Sequence, residues 1–68
     1  MNKEEVKQFI RDHLTDICYG DKPKDKDGNM YIFINQDGED GDIYQVSTHG
    51  EELHVANYMD DTGELTLF

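Results

Sequence analysis

Apolar residues recur along the first third of the chain at spacings of three and four: Val6, Phe9, Ile10, Leu14 and Ile17. That spacing puts them on one face and predicts one amphipathic helix over residues 2–19. Asn2 suits the N-cap, Glu5 three residues later completes a capping box, and Gly20 supplies a left-handed stop. From Asn29 the period shortens to two. Met30–Ile34 reads as a buried strand, Ile43–Thr48 as a second, Leu53–Met59 as a third and Glu64–Phe68 as a short fourth. Gln36–Gly41, His49–Glu51 and Asp60–Gly63 read as turns, and all six glycines fall at these breaks or at the helix and linker ends.

These elements predict an α+β fold. One N-terminal amphipathic helix packs on a four-stranded antiparallel β-meander, because connections this short favour antiparallel neighbours. Residues 1–68 form a single domain: helix 2–19, a solvated polar linker over 21–28 punctuated by Pro23 and Gly28, and a sheet region over 29–68. A chain of 68 residues buries only about 60% of its unfolded surface, so a partner subunit is one expected aid to stability. A single helix covers one face of a sheet, yet the first strand is apolar on both sides. Met30, Ile32 and Ile34 point one way; Tyr31 and Phe33 point the other, where Tyr44, Tyr58 and Phe68 can join them. Tyr31, Phe33, Tyr44 and Tyr58 are therefore the expected interface of a homodimer.

Charge changes the picture more than composition does. The chain carries sixteen acidic and six basic residues, for a net charge of −10. Residues 1–26 hold six of each sign and sum to zero. Residues 27–68 hold ten acids and no Lys or Arg, so the whole imbalance belongs to the sheet region. In a meander the first and third turns share one end, which gathers Asp37, Glu39, Asp40, Asp42, Asp60, Asp61 and Glu64, with Glu51 and Glu52 at the other. Such a cluster steers a basic partner inward. Acids also populate turns for local reasons, but ordinary surfaces mix signs and this one does not.

The residues offer little to catalysis. Aligned on Gly28, an EF-hand loop places Pro23 first and Ile34 twelfth; aligned on Gly41 it places Gln36 and Ser47 there, and neither register supplies the ligands calcium needs. The 37–42 turn keeps oxygens only for weak, adventitious cation binding. His13, Cys18, His49 and His54 have no zinc-ligand spacing, and no metal or cofactor is expected. Phosphate-binding glycine loops and a nucleophile elbow are missing, Ser47 near His49 has no orienting acid, and no residue is assigned a catalytic role. Direct nucleic-acid binding needs Lys or Arg for the phosphates, and the sheet region has none. One lone cysteine, a polar start at Met1–Glu5 and the lack of an apolar run of roughly 20 residues lead to the expectation of a cytoplasmic protein without a membrane span.

In size, acidity and its pairing of a helix with a short sheet, the chain resembles phage-encoded host-takeover proteins that imitate DNA. The resemblance implies that rows of Asp and Glu stand where phosphates stand, here Asp37, Glu39, Asp40, Asp42, Asp60, Asp61 and Glu64. The expected function is then a non-catalytic inhibitor that masks the nucleic-acid-binding surface of a basic host protein. A histone-like nucleoid protein, a nuclease, a repair enzyme and a polymerase all fit. The alternative is a small dimeric structural or adaptor module that binds through its aromatic sheet face.

Overall fold

Asn2 and Glu5 start the first helix as their spacing predicts. The Asn2 side chain accepts from the Glu5 N–H at 2.8 Å, and the Asn2 N–H donates to the Glu5 carboxylate at 3.3 Å. The computed structural model of the chain describes residues 1–35, 40–59 and 61–68, with Asp40 as backbone only. Among them lie two helices, α1 (Lys3–Asp12) and α2 (Leu14–Tyr19). Four strands follow: β1 (Met30–Asn35), β2 (Asp40–Val46), β3 (Glu52–Met59) and β4 (Glu64–Leu67). The fold is α+β, with an antiparallel open sheet in the order β1-β2-β3-β4.

The expected single helix is corrected to two, and His13 is the break. Its backbone sits at φ −117°, ψ 17°, outside helical geometry. Its ring stacks on Phe9 with centroids 4.1 Å apart, and Nδ1 lies 3.0 Å from the Phe9 carbonyl oxygen. A side chain that engages its own preceding turn competes with regular helix continuation. Gly20 ends α2 at φ 90°, and Asp21 N–H donates to the Asp16 carbonyl at 2.9 Å. Glycine takes this left-handed conformation at no steric cost.

The 21–28 segment keeps Asp21, Lys22, Lys24, Lys26 and Asp27 exposed, as a solvated linker should, but it also pairs with the sheet. Lys24 forms an antiparallel bridge with Met30, and the Tyr31 N–H donates to the Pro23 carbonyl at 3.0 Å. The segment folds back beside β1 and holds Asp25 at 8% exposure.

The strand register explains which side chains reach the core. Tyr31 pairs with Gln45, Phe33 with Ile43, and Ile43 with Ala56. Between Ile43 and Tyr44 the register shifts, since Tyr44 pairs with His54 and leaves Val55 as the extra residue of a β-bulge. Strict alternation would put His54, Ala56 and Tyr58 on one face. The bulge resets the phase, so Val55 and Ala56 are both buried and His54 turns to the opposite side. Ile10, Ile17, Tyr31, Ile43, Val55 and Ala56 form the core, with Val6, Phe9, Leu14, Phe33, Tyr58, Leu65 and Leu67 packed against it.

Gly41 is a strand residue and not the turn residue its type suggests. The Phe33 ring lies across it: a Cβ built there would stand 2.0 Å from Phe33 Cζ. β2 therefore starts earlier than expected, at Asp40 in place of Ile43.

Candidate interaction surface

Two regions concentrate polar chemistry, and they treat their carboxylates differently. The first is the turn joining the helices to the sheet. Gly28 N–H donates to the Asp25 carbonyl at 3.0 Å, and Asp25 N–H to the Asn29 carbonyl at 2.9 Å. Gly28 takes φ 84° to close this turn. Asp25 Oδ1 accepts from the backbone N–H of Asp27 at 2.9 Å and of Asn29 at 3.0 Å. Asp25 Oδ2 accepts from Asn29 Nδ2 at 3.1 Å and from the Tyr31 hydroxyl at 2.9 Å. Gln45 Nε2 donates to Tyr31 Oη at 2.9 Å. Burial pushes the Asp25 carboxyl up, but the donors from Tyr31, Asn29 and Asp27 outweigh it and hold the group below its ordinary value. Burial raises the Tyr31 hydroxyl above its ordinary value against the Gln45 donor, and neighbouring Asp25 adds to the rise.

This knot was not foreseen. Its sequence signal is Asp25-Lys26-Asp27-Gly28-Asn29, in which Asp opens a turn and Gly closes it. Flanking ion pairs tie it to α1: Lys26 Nζ lies 2.6 Å from Glu5 Oε2, and the Met1 amino group pairs with Asp27. Each raises its cation's pKa, chiefly through the shared hydrogen bond. The Glu5 carboxyl is held low by the same Lys26 contact.

The second region is the sheet end expected to bind a partner. Asp40 pairs with Met59, and Met59 with Glu64, so Asp40 and Glu64 share a register level across β2, β3 and β4. Two strand spacings separate them by about 10 Å. Asp61 and Glu64 are exposed, and neither side chain makes a hydrogen bond or ion pair among the described residues. Asp42 sits one alternation further in and is half-buried. Asp37, Glu39 and Asp60 lie outside the described residues, as does the Asp40 side chain. Glu51 and Glu52 are exposed at the other end of the strands.

The aromatic set expected to share one uncovered face is divided by the sheet. Tyr31 is 0% exposed, its ring 4.6 Å from Phe9, and Phe33 and Tyr58 pack on the same core. These three lie on the helix-facing side: alternation in β1 puts Tyr31, Phe33 and Asn35 on one face, and the register Asn35–Gly41–Tyr58 carries that face across to β3. Only Tyr44 is on the opposite face. There Ile32 pairs with Tyr44 and Tyr44 with His54, while Ile34 pairs with Asp42 and Asp42 with Asn57. The His54 ring stacks on Tyr44 at 5.0 Å and meets Phe68 edge-on at 4.8 Å. His54 Nε2 lies 3.5 Å from Asp42 Oδ1. With its amide nitrogen turned toward these acceptors, Asn57 donates to Asp42 Oδ1 and His54 Nε2, each at 2.8 Å.

His13, half-buried Cys18 and exposed His49 belong to separate places in the fold. Among the described residues, no three His, Cys, Asp or Glu side chains gather where they could hold a metal ion. A groove of about 460 Å³ runs toward the β2–β3 end, lined by Lys3, Val6, Lys7, Leu53, Val55 and Phe68 among others. No described helix is long and apolar enough to cross a membrane. Compared with known proteins, the chain matches no family model, no curated protein and no solved structure.

Proposed function

We propose that the protein is a non-catalytic inhibitor that covers the nucleic-acid-binding surface of a basic protein, its carboxylates standing in for phosphates. One observation carries this reading: residues 27–68 hold ten acids and no Lys or Arg, and their strand register brings Asp40 and Glu64 to one end of the sheet. The magnitude is suitable. The molecule is 31 Å long. A DNA duplex of that length carries about 18 phosphates, and a protein bound to one side meets roughly half of them. The seven acids expected at one end of the sheet, Asp37, Glu39, Asp40, Asp42, Asp60, Asp61 and Glu64, are comparable to that half. The cations of the helical third do not neutralise Asp61 or Glu64, since neither forms an ion pair among the described residues.

A displacement assay tests the reading. A labelled duplex is bound to a histone-like nucleoid protein, and the acidic protein is titrated in. Release of the duplex is expected at low salt and its loss at high salt, as screening shortens from about 10 Å at 0.1 M to about 3 Å at 1 M. The triple variant Asp40→Lys, Asp61→Lys, Glu64→Lys should fail to displace while keeping its circular dichroism spectrum. Undiminished displacement by that variant removes the acidic end as the contact surface. Failure of the wild type against the nucleoid protein, a nuclease, a repair enzyme and a polymerase removes the reading itself.

A further inference from the structure

The two faces of the sheet have different fates. On one, Tyr31, Ile43 and Ala56 are 0% exposed beneath the helices. On the other, Met30, Ile32, Tyr44, Val46 and Met59 are half-buried, Ile34 is 41% exposed, and none of them packs against the core cluster. We propose that this second face is the docking surface of the protein, and that its occupant is a basic amphipathic helix of the partner, presenting Arg or Lys beside apolar side chains. The proposal rests on the masking function above and names the kind of surface that function engages.

Charge complementarity selects the occupant. Register and alternation put Asp42 and Glu64 on this face, at the end of its apolar strip. Residues 27–68 contain no Lys or Arg to repel a cationic helix, and Lys24, bridged to Met30, stands beside this face at the end away from Asp42 and Glu64. A second copy fits less well, because it would join two chains of −10 each. Dimensions agree as well: four strands span about 14 Å between their outer axes, and a helix with side chains is about 10 Å across. Apolar contact at the centre with charge at the margin is the usual composition of a protein interface.

Two synthetic helical peptides of equal length and net charge form the test. One carries Leu along one face and Arg along the other; its control has Gln in place of every Leu. Both are titrated into the full chain by fluorescence anisotropy, with amide chemical shifts recorded by NMR. The Leu/Arg peptide is expected to bind about tenfold tighter or better than its control. Its shifts should centre on Ile32, Ile34, Tyr44 and Asn57. Ile34→Gln with Tyr44→Gln should erase that advantage and leave the control's weak binding unchanged, with an unfolding curve confirming that the variant folds. Equal affinity for the two peptides overturns the proposal, even where duplex displacement still succeeds and the masking function stands. Shifts that fall on α1 or the Asp25 turn overturn it too. Sedimentation showing a wild-type dimer that the double variant dissociates would assign the face to a second copy and overturn it likewise. If the Leu/Arg peptide maps to this face although the protein displaces no duplex, the docking surface stands and the masking function falls.

Discussion

Asp25, in a short connection beside β1, and Glu64, the first residue of β4, are both acids at the margin of the sheet, yet their surroundings have almost nothing in common. Asp25 is 8% exposed and accepts from two backbone N–H groups, a side-chain amide and a buried hydroxyl. Glu64 is exposed, and its carboxylate makes no hydrogen bond or ion pair among the described residues. The segment that looks most solvent-like in sequence, 21–28, contains the most heavily bonded carboxylate. The difference separates acids that hold the fold from acids left over for a partner. Substitutions at the two places should therefore move different observables.

Asp25→Ala should give the largest effect. It strips acceptors from the Tyr31 hydroxyl, the Asn29 amide and the backbone N–H groups of Asp27 and Asn29. Leaving such donors unpaired costs about 3 kcal/mol in all. A domain of this size has only about 3–10 kcal/mol to lose. Urea unfolding should show that loss of about 3 kcal/mol, whereas Asp61→Ala should stay within about 0.5 kcal/mol of wild type. Equal losses at the two positions would erase the distinction drawn here.

Gly41→Ala comes next, at about 2 kcal/mol. The new methyl would meet the Phe33 ring, with 2.0 Å between its Cβ and Phe33 Cζ. Shortening the obstacle should restore part of the loss, so Phe33→Leu and Gly41→Ala together should cost less than the sum of the two. Additive costs in a double-mutant cycle would mean that the ring is not what requires glycine.

Gly41 also marks where the sequence stops being legible. The capping box and the strand order follow from local patterns, because caps and turns are set by residues within a few positions of each other. The β2 start was missed because a glycine under an aromatic ring looks, in one dimension, like a turn glycine. Tyr44 leaves the expected aromatic set for a longer-range reason: its register with Ile32 puts it on the face opposite Tyr31, Phe33 and Tyr58, and the extra residue at Val55, which nothing in Leu53–Met59 announces, sends His54 there with it. His13 ended α1 through contact with Phe9, one turn away, while its helical spacing still read as continuous. The charge asymmetry needed no coordinates. Which acids it leaves without structural work did: within 27–68 the described ones are Glu51, Glu52, Asp61 and Glu64, of which Asp61 and Glu64 lie at the end expected to meet a partner.

Titration should act on the Asp25 turn from both ends of the pH scale. The Asp25 carboxyl is held below its ordinary value of 3.8 in the folded protein. The unfolded chain thus takes up this proton first as pH falls, and the stability Asp25 provides above about pH 4 disappears as pH drops through the folded value. Tyr31 is raised above its ordinary value of 10.0. Its contribution is present below that pH and is lost as pH rises and the unfolded tyrosine ionises. Urea midpoints measured across pH should form a plateau that falls on both sides, and Tyr31→Phe should flatten the alkaline limb. A plateau unchanged by that substitution would assign the limb to other groups.

The smallest effect on stability should accompany the largest on binding. Asp61→Lys and Glu64→Lys alter exposed side chains with no described partner. Each should shift unfolding by no more than about 0.5 kcal/mol, in the stabilising direction, because a lysine relieves repulsion in a chain of −10. The same pair should slow association with a basic partner and flatten its salt dependence, since marginal charges act mostly on the encounter rate. Stopped-flow association at two ionic strengths, beside urea curves for the same proteins, reads both quantities. A large stability loss would show that this end carries structure as the Asp25 turn does. An unchanged association rate would show that its carboxylates neither hold the fold nor steer a partner.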